Sequence, residues 1–106
     1  MKLMTKELLK KLPKLGETDG KPAAEKKAVV KFFDPCGRGT WYVCEFDGED
    51  TFFGYVVSPL GPDCDEWGYF SLAELAGVRT RFGLGLERDR HWDPNTLMNK
   101  VLKEAA

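Results

Sequence analysis

No stretch of the 106 residues approaches the ~20 consecutive apolar side chains that a membrane-spanning helix needs. No continuous apolar block follows the N-terminal lysines either, so residues 1–10 read as an amphipathic segment rather than a secretory signal, and the expected compartment is the cytoplasm. Cysteine is scarce and odd in number, at three, which argues against a disulfide framework and leaves buried thiols or metal ligands. Histidine occurs once, as His91, and no serine or cysteine sits in an elbow motif that would make it a nucleophile. An enzyme is therefore not expected. The glycines at 37, 39, 83 and 85 match no phosphate-binding fingerprint. No internal repeat is present. An excess of either charge is lacking too, since the net charge is −1.

What is present is concentrated. Two of the three tryptophans, all three tyrosines and six of the seven phenylalanines lie between Lys31 and Phe70. Within that stretch, two runs of aromatic and β-branched residues flank Asp47-Gly48-Glu49-Asp50, the pattern of a β-hairpin. Residues 28–33 read as a strand before it and residues 66–70 as a short strand after it. Pro59 and Pro62 make the intervening segment a loop. Residues 87–92 read as an edge strand or a loop anchored by Trp92. The expected fold is α+β: an antiparallel meander of about four strands packed by two or three helices.

Three helices are expected. The first runs from a Thr5 cap to a stop at Pro13, with Leu8, Leu9 and Leu12 at roughly helical spacing. The second starts at Ser71, whose hydroxyl and the Glu74 carboxylate have capping-box spacing. The third has Asp93 as cap and Pro94 in its first turn, with Leu97, Val101 and Leu102 facing inward. Residues 1–27 are expected to be a helix and linker attached to one globular domain over 28–106.

Charge is distributed unevenly. Residues 1–27 carry +4, residues 28–70 carry −6 and residues 71–106 carry +1. An acidic β section flanked by a basic arm is a polarised molecule. Glu45, Asp47, Glu49 and Asp50 crowd the hairpin tip, with Asp63 and Asp65 in the next loop, and together they form an expected surface for a basic protein partner. The ordinary alternative is a solvated tip. Arg79, Arg81, Arg88 and Arg90 are largely cancelled by Glu87, Asp89 and Asp93.

Cys36 and Cys64 lie in the irregular loops that enter and leave the hairpin, which fall at one end of a meander. With Asp34 and His91 they make a donor set compatible with a structural zinc, although the spacing matches no standard motif. Cys44 lies mid-strand and is expected on the same face as Tyr42 and Phe46, as a small core residue.

Several blocks carry a resemblance: Trp41-Tyr42, residues 45–57 (EFDGEDTFFGYVV), residues 68–75 (GYFSLAEL) and residues 83–92 (GLGLERDRHW). From Val29 to Trp92 the chain resembles a family of small bacterial proteins described as a domain of unknown function. That resemblance implies a setting in plasmids, phages and integrative elements, and no activity. Relatives of this kind often stop soon after the last block, which makes the C-terminal helix a local feature. The function expected on these grounds is a mobile-element interaction protein. In its most specific form it is a counter-defence inhibitor, of anti-CRISPR or anti-restriction type, that binds a host nuclease complex and blocks its DNA access. The expected state is a monomer or small homo-oligomer with no membrane partner and no sequence-specific nucleic acid. Two alternatives stand beside it: a nucleic-acid accessory protein that uses the basic N-terminal arm, and a small metal-dependent enzyme.

Overall fold

A computed structural model of the chain describes residues 2–80 and 82–105. Four strands, β1 (Val30–Phe33), β2 (Thr40–Phe46), β3 (Thr51–Val57) and β4 (Glu66–Ser71), run as the expected meander. A fifth, β5 (Glu87–Arg88), pairs antiparallel with β1, Phe32 opposite Arg88 and Phe33 opposite Glu87. The spatial order is β4-β3-β2-β1-β5 and every pairing is antiparallel. With helices α1 (Lys6–Lys11), α2 (Leu72–Gly77) and α3 (Met98–Ala105), the fold is α+β, with one strand more than the sequence pattern indicates. No helix among the described residues is long and apolar enough to cross a membrane.

Both faces of the sheet carry packed layers, with the β3–β4 edge of the second left partly open. On one, Phe52 meets the rings of Phe46, Phe70 and Phe32 at 4.5, 5.5 and 5.6 Å. Leu3, Met4 and Leu12 of the N-terminal segment, with Leu75 and Leu86, close over that layer. The segment before residue 28 is thus part of the core. On the other face Met98 and Val101 of α3 bury Cys44 and Ala28, bordered by Tyr42, Tyr55, Trp67 and Trp92.

The two faces are separated by a bulge in β2. The register against β3 shifts between Val43 and Glu45, so two residues of β2 oppose one step of its partner. Cys44 therefore stays with the Tyr42 layer while Phe46 enters the Phe52 layer. Strict alternation would have put all three on one face, and the extra residue overturns that expectation. Gly54 sits opposite Val43, where a Cβ would lie 1.8 Å from the Tyr42 carbonyl oxygen. Only glycine tolerates this approach of backbone to backbone.

The helix ends follow their sequence signals, with one exception. Thr5 accepts from the Leu8 amide at 3.2 Å and α1 stops before Pro13. Ser71 accepts from the Glu74 amide at 3.2 Å. The third helix starts later than Pro94. Ala28 donates to Thr96 at 2.8 Å and Met98 to Lys26 at 2.8 Å, which holds residues 96–98 extended against 26–28 before α3 begins. In consequence Met98 is buried in place of Leu97, which is exposed.

Candidate functional site

The bulge in β2 turns Glu45 toward the segment after α1, and that contact builds the site. Glu45 is 2% exposed. Its carboxylate accepts from the Gly16 amide at 2.8 Å, from the Thr18 amide at 3.1 Å and from the Thr18 hydroxyl. Lys26 is buried beside it with its ammonium 3.7 Å from the carboxylate, and donates to both the carbonyl and the hydroxyl of Thr18 at 2.7 Å. Burial pushes the Glu45 carboxyl up, but the hydrogen bonds from Thr18 and Gly16 and the charge of Lys26 outweigh it and hold the group below the ordinary carboxylate range. The loop over residues 16–27 is thereby clamped onto the sheet by one charged cluster.

The clamped loop, α1 and the segment after β5 enclose a groove. One recess, about 520 Å³, lies between α1 and the Arg88–Pro94 segment. A second, about 590 Å³, lies between Lys11 and Lys27, and the two share Lys11, Val29 and Pro94. Seven cationic side chains line them (Lys6, Lys11, Lys21, Lys26, Lys27, Arg88 and Arg90) against the carboxylates of Glu7, Glu17 and Asp89. Lys26 is neutralised by Glu45, and Arg88 donates to the carbonyls of Lys2 and Leu3, fixing the arm in place. Lys6, Lys11, Lys21, Lys27 and Arg90 are exposed, and none has a carboxylate within ion-pair distance among the described residues. Beyond Arg90 the groove opens onto Lys31 and His91.

Trp92 forms part of the wall. Its indole N–H donates to the Ala28 carbonyl at 2.7 Å, its ring lies 5.6 Å from that of Tyr42, and Lys31 sits 5.2 Å over it. The sequence marks Trp92 as an anchor, and along the chain the neighbouring arginines are largely cancelled by acids. What that local pattern lacks is the partner segment, because the lysines that complete the groove are more than 60 residues away in the chain.

The acidic residues expected to face a partner are mostly engaged inside the molecule. Glu45 is interior. Asp47 accepts from the amides of Glu49, Asp50 and Thr51 at 2.8, 2.8 and 3.0 Å, and these bonds hold its carboxyl below the usual range. Asp50 accepts from the Ser71 hydroxyl at 2.6 Å and the Ala73 amide at 2.8 Å, tying the hairpin tip to the start of α2. Asp65 accepts both N–H arms of Arg38 at 2.7 Å and the Ser58 amide at 2.7 Å, so its carboxyl is also held low, chiefly by Arg38. Glu49 and Asp63 are exposed.

The loops that carry Cys36 and Cys64 do meet, through Arg38 and Asp65. Asp34 accepts from the Cys36 amide at 2.7 Å, which shapes its own turn. His91 follows β5 and Cys64 precedes β4, on opposite edges of a five-stranded sheet. Four strand spacings of about 4.8 Å separate those edges. Among the described residues no three His, Cys, Asp or Glu side chains gather as a metal site would require. Burial pushes the Cys44 thiol up to about 12, with Lys26 opposing and Glu45 adding to it, so the group stays protonated at neutral pH.

No curated protein and no solved structure matches the chain. A family model described as a protein of unknown function does, over residues 3–106, a span that takes in the N-terminal arm, the groove and α3 rather than stopping at Trp92. The chain belongs to that family, DUF2958.

Proposed function

We propose that this chain is a nucleic-acid-binding accessory protein whose groove takes a phosphate backbone. The observation that carries this reading is that Lys6, Lys11, Lys21, Lys27 and Arg90 line two adjoining recesses and, among the described residues, have no carboxylate within ion-pair distance. Cations held at fixed spacing displace the counterions of a polyanion, and the released ions supply the driving force. The geometry favours this over a partner surface at the hairpin tip. There, of the six acids considered, Glu49 and Asp63 are exposed, and their carboxylates have no hydrogen-bond or ion-pair partner among the described residues. The mobile-element setting and a counter-defence role rest on the family resemblance alone, and the groove is neutral toward them.

The test is fluorescence anisotropy of labelled oligonucleotides as a function of salt. Four phosphate contacts predict an affinity that falls roughly 50-fold (single strand) to 150-fold (duplex) between 50 and 200 mM salt. The double variant Lys11→Glu, Lys27→Glu should weaken binding at least about tenfold and flatten the salt slope by about two contacts. Deleting the arm would be a poor substitute, because it removes the buried Leu3, Met4 and Leu12. Absence of binding at 50 mM salt, or an unchanged slope in the double variant, refutes the proposal.

A further inference from the structure

We infer that the groove takes single-stranded rather than duplex nucleic acid, with Trp92 as the ring on which a base stacks. This rests on the reading of the groove as a nucleic-acid site.

Three observations carry it. First, Trp92 is half-buried in the wall of the same recess that holds Lys6, Lys11 and Arg90. A ring beside cations is the pairing that single strands use, since the backbone follows the charges while unpaired bases stack. Second, the ring is held in place before any ligand arrives. The bond to Ala28, the contact with Tyr42 and the cation of Lys31, which lies 5.9 Å from Tyr42 as well, fix its plane. A preordered side chain loses little entropy when a base settles on it. Third, the recesses, at about 520 and 590 Å³, fall in the range of roughly 300–1,000 Å³ that encloses small ligands. That is room for one or two nucleotides. A duplex keeps its bases paired and stacked, and would meet the groove only with its backbone, leaving Trp92 unused.

The other aromatic surface is a built-in comparison. Phe53, Trp67 and Tyr69 stack along the β3–β4 edge with ring centres 5.1 to 5.9 Å apart, and Tyr69 is 71% exposed. The cation over Phe53 is Lys26, which is buried against Glu45, and Glu66 lies at the end of that edge. An aromatic ladder whose ring-facing cation among the described residues is already paired is less suited to hold a backbone.

The experiment uses the full chain with a 12-nucleotide thymidine DNA, the matching uridine RNA, a 12-base-pair duplex and heparin, all at one salt concentration. At least one single strand should bind about tenfold tighter than the duplex. Ultraviolet cross-linking of a 5-bromodeoxyuridine oligonucleotide should fall on the peptide that contains Trp92. Trp92→Leu should weaken single-strand binding roughly tenfold while leaving the salt slope and heparin binding unchanged. Trp92→Phe, which keeps a ring against Tyr42, should retain most of it, and the cross-link on unaltered protein does not depend on either variant folding. Equal or tighter duplex binding, cross-linking at Trp67 or Tyr69, or a folded but neutral Trp92→Leu overturns the inference and leaves the phosphate-backbone reading standing. Failure to bind any of the four polyanions overturns both.

Discussion

Replacing Glu45 by alanine should unclamp the N-terminal loop, and its magnitude follows from what the carboxylate touches. The substitution removes the acceptor of three hydrogen bonds and leaves the Lys26 ammonium, 7% exposed, without its counter-charge. Lys26 keeps the Thr18 carbonyl and hydroxyl at 2.7 Å, which satisfies two of its three protons but not its charge. Breaking a buried pair by removing one partner costs about 3–5 kcal/mol. Gly16 is exposed and Thr18 half-buried, so their amides can turn to water, and the lower end, about 3 kcal/mol, is expected. That is a large share of the 5–15 kcal/mol or so that holds a typical domain. At about 4–8 °C per kcal/mol it corresponds to a fall in Tm of roughly 12–24 °C. Urea denaturation followed by tryptophan fluorescence measures it. The double variant with Lys26→Met should recover at least about 1.5 kcal/mol of the summed single losses, because it removes the orphaned charge as well. A loss below about 1 kcal/mol for Glu45→Ala, or additive single effects, would refute the clamp.

The same group sets a pH dependence whose sign is fixed. The folded-state carboxyl is held below its ordinary value, so the unfolded chain, with a pKa near 4.3, takes up the proton first as pH falls. The stabilisation is fully present above about pH 4.5 and disappears as pH drops through the folded value. Glu45→Gln should therefore be less stable than the parent at pH 7, and the two should converge in acid. A constant gap from pH 7 down to the acid transition would contradict this.

Two further outcomes test the interior. At pH 8 a thiol-reactive disulfide reagent should modify Cys36 and Cys64 in the folded protein and Cys44 only after unfolding, since Cys44 is 1% exposed and its thiol stays protonated; three fast thiols would contradict the placement. Gly54→Ala should destabilise by about 3 kcal/mol or more, given a Cβ 1.8 Å from the Tyr42 carbonyl, whereas Gly68→Ala, with nothing within 4 Å, should be neutral or stabilising by up to about 1 kcal/mol. Equal effects in thermal melts would mean that the bulge does not force the approach.

The meander, the Thr5 and Ser71 caps and the stop at Pro13 were legible because each depends on residues close in sequence. The strand β5 was half-legible: two residues of Glu and Arg show no alternation, and they become a strand only because Phe32 and Phe33 present an open edge. The bulge was not legible, since one extra residue in a run of strand formers leaves the composition unchanged. That single residue misplaced Phe46 and concealed the role of Glu45. Charge counted along the chain put Glu45 in an acidic surface, whereas the fold places it inside, holding the loop over residues 16–27 in position. Charge counted along residues 79–93 largely cancels, leaving +1, yet in space the Asp89 carboxylate accepts from the His91 amide while Arg90 stays exposed in the groove. A groove assembled from residues 6–11, 21–27 and 88–94 has no signature in any one of them. It exists because β5 returns antiparallel to β1 and because Glu45, paired with the buried Lys26, fixes the loop over residues 16–27 against the sheet.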